Sequence, residues 1–173
     1  MNSTTNNTNT TQASPTMGSM MGEIVWLMSQ SPIHKLLAIS DLEWLLMPPI
    51  LLSQYKLFYK DNQPVGAALW AYLSPEGETR FKTDGRITPQ DWGNNALFDA
   101  QKGIVPNPGG TLWLIELIAP FHTPENQQRD LMMADLMSTA FRGKSLKFRH
   151  INPLNGQPEE MTAQGKPAAE NLN

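Results

Sequence analysis

TLWLIELIAPF, Thr111 to Phe121, reads as a strand: aliphatic, aromatic and β-branched residues run without a break to the proline that ends them. Strand side chains alternate between faces. Simple alternation therefore sets Trp113, Ile115 and Leu117 on one side and Leu114, Glu116 and Ile118 on the other. Glu116 then interrupts an apolar face. An ionised carboxylate there is costly unless a partner or a proton neutralises it, so the acid calls for one. The alternative is an edge strand that turns Glu116 toward water.

Upstream, Tyr55 to Lys60 and Pro64 to Leu73 read as two further strands, joined by Asp61-Asn62-Gln63 as an antiparallel hairpin. Ser74 to Gly77 is a turn, Arg80 to Asp84 a third strand, and Pro89 to Lys102 a helix capped by Thr88. Residues 104–110, IVPNPGG, form a loop into the opening stretch. Nearer the start, Met21 to Gln30 suits a buried helix stopped by Ser31-Pro32, with His34 directly after. Ser40-Asp41-Leu42-Glu43 has the capping-box pattern and opens a helix toward Gln54, bent at Pro48-Pro49. Downstream, Thr123-Pro124-Glu125 looks like a helix start, leading to Leu131, Met132, Leu136 and Met137 near helical spacing. Ser145 to Ile151 is a last strand. Too few β-α-β units are present for a doubly wound parallel sheet. The order fits a single α+β domain, an antiparallel or mixed sheet flanked by helices.

The 173 residues, 40% hydrophobic and 17% charged, suffice for one well-buried domain. Fourteen of the first twenty are Asn, Ser, Thr or Gln, so Met1 to Met20 reads as a disordered polar leader and not a secretory signal. The domain is expected over 21–153, with a flexible tail over 154–173. No apolar run approaches the roughly 20 residues that span a bilayer. The absence of cysteine excludes disulfides, a thiol nucleophile and thiolate metal sites, and suits a cytoplasmic protein. A net charge of −3 gives no general case for nucleic acid.

His34, His122 and His150 do not fall at the i, i+4 spacing of a helical metal pair, so no metal site is expected. No Walker-type or dinucleotide glycine loop and no Gly-x-Ser-x-Gly elbow is present. His34, in a break between helices, and Glu116 remain as the pair that could meet across the fold. An imidazole is suited to taking a proton near neutral pH, and a carboxylate would fix its tautomer.

Ser31-Pro32-Ile33-His34, Gln54-Tyr55, Lys60-Asp61-Asn62-Gln63-Pro64-Val65, Trp70-Ala71-Tyr72-Leu73-Ser74, Asp91-Trp92 and Trp113 to Phe121 follow one another in an order and near a spacing that resembles the RTX toxin-activating lysine acyltransferases. The resemblance covers roughly Gly22 to Pro153. It implies a fold like that of the Gcn5-related N-acetyltransferases, frequently dimeric, and transfer of a fatty acyl group from acyl carrier protein to an internal lysine of an RTX-type protoxin, with no bound cofactor. It places the family's catalytic histidine on His34 and its strand acid, usually aspartate, on Glu116. The family's second-helix asparagine falls near Leu45, which cannot hydrogen-bond. Ser31 would support the site or cap its turn.

Acyl carrier proteins are acidic, and Arg142, Lys144, Lys147 and Arg149 form a basic run with no acid between Phe141 and Ile151. The alternative is a solvated strand edge. Met132, Met133 and Met137 would line either an acyl-chain groove or ordinary helix core. Two other functions stay open: a binding protein or chaperone on the same fold with little activity, and an acyltransferase whose acceptor is a small peptide or another amine.

Overall fold

A computed structural model describes residues 16–92, 110–152 and 154–166. Helix α1, Met17–Gln30, is capped by the Thr16 side chain, which accepts from the Ser19 amide at 3.2 Å. It buries Ile24, Leu27 and Met28, whose spacing of three and four places them on one face. The Thr16 cap starts the helix four residues before the expected Met21. Residues 17–20 of the expected leader are thus its first turn, and residues 1–15 lie outside the described part.

After Ser31-Pro32 the chain tightens into two 3₁₀ turns, His34–Leu36 and Ile39–Asp41, then short helices α2, Leu42–Leu45, and α3, Met47–Leu51. The single long helix expected over this stretch is broken into these pieces. The expected capping box at Ser40 does not start α2, which has no side-chain cap; the Asp41 carboxylate instead closes the second 3₁₀ turn, accepting from the Ala38 amide at 3.0 Å and the Trp44 indole at 3.2 Å. Both hydrogen bonds hold the Asp41 carboxyl below its ordinary pKa, the one from Trp44 more strongly.

Strands β1, Tyr55–Lys60, and β2, Gln63–Leu73, form the expected hairpin. Asp61 and Asn62 both take the positive φ, 50° and 63°, that the tight turn demands. Helix α4, Pro75–Asp84, overturns the expected turn at Ser74–Gly77 and the expected strand at Arg80–Asp84. Ser74 caps it by accepting from the Gly77 amide, Pro75 occupies its first turn, and Gly85 closes it in the left-handed region. Helix α5 covers Pro89–Trp92, and the rest of the helix expected to Lys102 lies outside the described residues.

The opening stretch is strand β3, Thr111–Ile118, central in a five-stranded sheet ordered β1-β2-β3-β4-β5 with β4, Ser145–Ile151, and β5, Pro158–Gln164. The sheet is mixed: β3 meets β4 in parallel through one ladder pair, Trp113 with Lys147, and the other neighbours are antiparallel. The expected flexible tail at 154–173 differs at β5, which pairs along all of β4. Its polar composition reflects an edge strand with exposed faces. Helix α6, Gln128–Ser138, crosses between β3 and β4. It starts later than Thr123-Pro124-Glu125 suggests, because Thr123 and Asn126 bond reciprocally in a closed turn and Gln127 is left-handed, at φ 47°.

The sheet separates two apolar layers. Helices α1 to α5 pack on one face around Ile24, Leu27, Leu45, Leu46, Trp92, Trp113, Ile115 and Ile118. On the other face, Leu136 of α6 and Phe141 pack on Ala68, Leu112, Leu114 and Leu146. No helix among the described residues is long and apolar enough to cross a membrane.

Candidate active site

Simple alternation fails on β3 at the residue that matters. Leu69 pairs with Glu116 and the next residue, Trp70, with Leu114, so Ile115 is an extra residue, a β-bulge. Trp113, Ile115, Glu116 and Ile118 therefore all serve the face covered by α1, while Leu114 and Leu117 serve the α6 face. Glu116 is grouped with Trp113 and Ile115, opposite to the period-two expectation.

Glu116 meets its partner there. The end of α1 at Ser31-Pro32 and the first 3₁₀ turn bring His34 over β3, with its Nε2 3.1 Å from Glu116 Oε2. Its Nδ1 is 2.7 Å from the Ser31 hydroxyl. Ser31 closes α1 through its backbone, donating to the Met28 carbonyl, and holds the histidine through its side chain. The two roles weighed for Ser31 coexist. The His34 side chain is 10% exposed and that of Glu116 34%, so solvent reaches the line from the carboxylate end.

The polarity follows from the donor inventory. An ionised carboxylate only accepts, so the Glu116 contact requires the imidazole proton on Nε2. Nδ1 then carries the lone pair and accepts from the Ser31 hydroxyl. The line is Ser31 O–H to Nδ1, then Nε2–H to Glu116: a base held in one tautomer.

Beside His34 lies a cleft of about 170 Å³ between α1 and the strap formed by the 3₁₀ turns and α2, lined by Val25, Met28, Ser29, Leu37, Ala38, Ile39 and Leu42 with the exposed Lys35. The strap carries a signal that period and capping patterns do not register: three apolar residues at spacing three, Ile33, Leu36 and Ile39, which are 72%, 81% and 87% exposed. A wider groove of about 320 Å³ along β1, bounded by Met20, Tyr55 and Tyr59, contains none of the site residues.

The other expected residues do not converge on His34. Leu45 is fully buried in the apolar core. Met132 is buried in the α6 layer and Met133 and Met137 pack against it, across the sheet from His34. The basic run divides. Lys147 pairs with Glu78 at 2.8 Å and Glu160 at 2.9 Å. Arg149 lies over the Phe81 ring and donates to the Phe81 carbonyl. Lys144 reaches the Tyr72 hydroxyl, and Arg142 folds back on the Ser138 carbonyl. Strand β5 supplies the acids that the sequence between 141 and 151 lacks, setting Glu160 opposite Arg149 and Glu159 opposite His150. Lys82 joins Glu78 and Glu160 to complete a four-membered network beside the Trp113 ring. Burial pushes the Glu78 carboxyl up, but hydrogen bonds from Lys147, Lys82 and Thr111 outweigh it and bring it down to about 2. Among the described residues no cluster of three or more His, Cys, Asp or Glu could hold a metal ion.

A mixed sheet flanked by helices, with a histidine and a carboxylate meeting at its central strand, is compatible with the Gcn5-related acyltransferase class. The chain belongs to the RTX toxin acyltransferase family, whose model matches residues 14–163. It is 32% identical over 103 residues to a leukotoxin-activating lysine-acyltransferase of Aggregatibacter actinomycetemcomitans, covering 59% of this chain and 53% of that one. It is 31% identical to a protein-lysine myristoyltransferase of Escherichia coli, covering 59% and 51%. A protein-lysine palmitoyltransferase of Bordetella bronchiseptica is 30% identical over 129 residues, 75% of this chain and 62% of that one. The chain spans about half the length of the first two.

Proposed function

We propose that this protein transfers a fatty acyl group from the thioester of acyl carrier protein to the ε-amine of an internal lysine in an RTX-type protein toxin. The observation that carries the reading is the line from Ser31 through His34 to Glu116, with contacts of 2.7 and 3.1 Å. A lysine amine has a pKa near 10.4 and is protonated at neutral pH, so it attacks only after a base takes its proton. His34 is that base, at Nδ1, and the Ser31 hydroxyl bonded there passes the proton on. Glu116 holds the ring and balances the imidazolium charge.

The freed amine attacks the thioester carbonyl, a C–N bond forms, and the C–S bond breaks. The departing sulfur takes the proton back from His34. Overall an ammonium and a thioester become an amide, a thiol and one proton released to solvent. With no cysteine in the chain, direct transfer needs no sulfur-bound intermediate.

Of the basic run, Arg142 and Lys144 are exposed and serve as carrier contacts in this reading, while Lys147 and Arg149 are engaged within the fold. In this reading the protein acts in the cytoplasm as a homodimer, for which the outer edge of β1, unpaired among the described residues, offers a surface. The test is to incubate purified protein with myristoyl-loaded acyl carrier protein and a toxin fragment carrying internal lysines, and to map acyl-lysine by mass spectrometry. Lysine-linked acyl groups are expected. Tight binding of the fragment with no transfer would leave a chaperone instead.

A further inference from the structure

We infer that the cleft beside His34 holds the acyl chain of the donor and not the acceptor lysine; this rests on the acyl-transfer reading above. The cleft walls are mostly aliphatic or thioether, Val25 and Met28 from α1, Leu37, Ala38 and Ile39 from the strap and Leu42 from α2, with the Ser29 hydroxyl as a neutral polar group. His34 itself lines the cleft, so an occupant passes within reach of the imidazole. Two groups must reach that ring, an acyl chain and the stem of a lysine.

Charge decides between them. The ionisable groups in the lining are His34 and Lys35, and no carboxylate is among them. The exposed Lys35 repels an incoming ammonium and leaves a neutral aliphatic chain undisturbed. Glu116, one-third exposed, lies outside the lining, so the cleft offers an ammonium no counter-charge.

The volume sets how the chain lies. At about 170 Å³ the cleft is smaller than the roughly 300 Å³ at which pockets enclose drug-sized ligands, so it takes part of a long chain. The remainder runs onto Ile33, Leu36 and Ile39, whose exposure is otherwise unexplained. Met28 adapts its shape to a flexible occupant. Met133 and Met137 of α6 pack in the opposite apolar layer and take no part.

The direct test uses the wild-type chain and a carrier-bound C14 donor with a diazirine at the chain end, photolysed before acceptor is added. Crosslinks are expected within residues 25–42. Crosslinks confined to α6 or elsewhere, or none while lysine transfer proceeds, overturn the inference. Crosslinks within 25–42 without lysine transfer would uphold the cleft and count against the transfer reading alone. A second measurement compares donors of four and fourteen carbons on Ala38→Trp, which fills the cleft from its exposed rim. The ratio of long-chain to short-chain kcat/KM is expected to fall by roughly tenfold or more. An unchanged ratio in the folded variant overturns the inference.

Discussion

Two charged clusters meet the same face of β3 three residues apart, one at Glu116 and one around Trp113, and they are built on opposite plans. Glu78, Lys82, Lys147 and Glu160 satisfy one another in a closed set, two acids against two bases. The line at Glu116 is open: His34 joins a neutral hydroxyl to a single carboxylate, and one end reaches solvent. The first arrangement holds α4, β4 and β5 together and has no charge left for a partner. The second, in the function proposed above, leaves a charge and a proton for the substrate. Charge density alone does not distinguish a site from a brace, but whether the charges close on themselves does.

The largest separation should come from removing the centre of each cluster. His34→Ala is expected to lower acyl transfer by roughly 10²–10⁴-fold with little change in the melting temperature. Glu78→Gln should do the reverse, lowering the melting temperature by about 2–4 °C for each kcal/mol lost while transfer is essentially unchanged. Parallel rate and melting measurements on the two variants check both; equal loss of rate in both would dissolve the distinction.

Glu116→Asp sharpens the comparison, since it restores the family's usual acid. Shortening by one methylene withdraws the carboxylate from His34 by about 1 Å, and a loss of about a hundredfold in kcat is expected where the strand does not adjust. A gain in rate would mean that the bulge already places the backbone for aspartate. Ser31→Ala should cost less, about five- to tenfold, the worth of one hydrogen bond of about 1 kcal/mol. The pH dependence of kcat should shift with it, because Nδ1 loses its one side-chain partner among the described residues.

The smallest effect belongs to the brace. Glu78 is lowered to about 2, and Glu160 is lowered by hydrogen bonds from Lys82 and Lys147. Groups depressed in the fold bind protons first in the unfolded chain, so their contribution is complete above the unfolded value, about 4.3, and is lost as pH falls toward about 2. Urea unfolding from pH 7 to pH 2.5 should show a flat upper range and a decline below about pH 4.5. Glu78→Gln should shrink that decline.

The hairpin, β3, β4 and the meeting of His34 with Glu116 were legible in the sequence because local pattern and family resemblance pointed the same way. Ser74-Pro75-Glu76 and Thr123-Pro124-Glu125 show where local pattern runs out. Both have the form of a helix start. The first, read as a turn, launches α4, since Ser74 caps the Gly77 amide. The second, read as a helix, closes on itself because Asn126 takes the Thr123 amide and also donates to the Phe121 carbonyl. The difference lies in a side chain three residues on. The basic run failed for a longer-range reason. Its neutralising acids, Glu78 and Glu160, come from α4 and from a strand whose polar sequence resembled a tail.

The extra residue at Ile115 acts as a phase shift within one strand. Upstream of it, odd-numbered side chains build the wall around Trp113; downstream, even-numbered ones do, beginning with Glu116. The two halves of β3 are therefore read in different phases, and the strand can place a core tryptophan and a site acid on one face at an odd spacing that a regular strand forbids. A substitution that flattened the bulge without deleting a residue would move Glu116 through the sheet to the α6 side, leaving its composition intact and its position reversed.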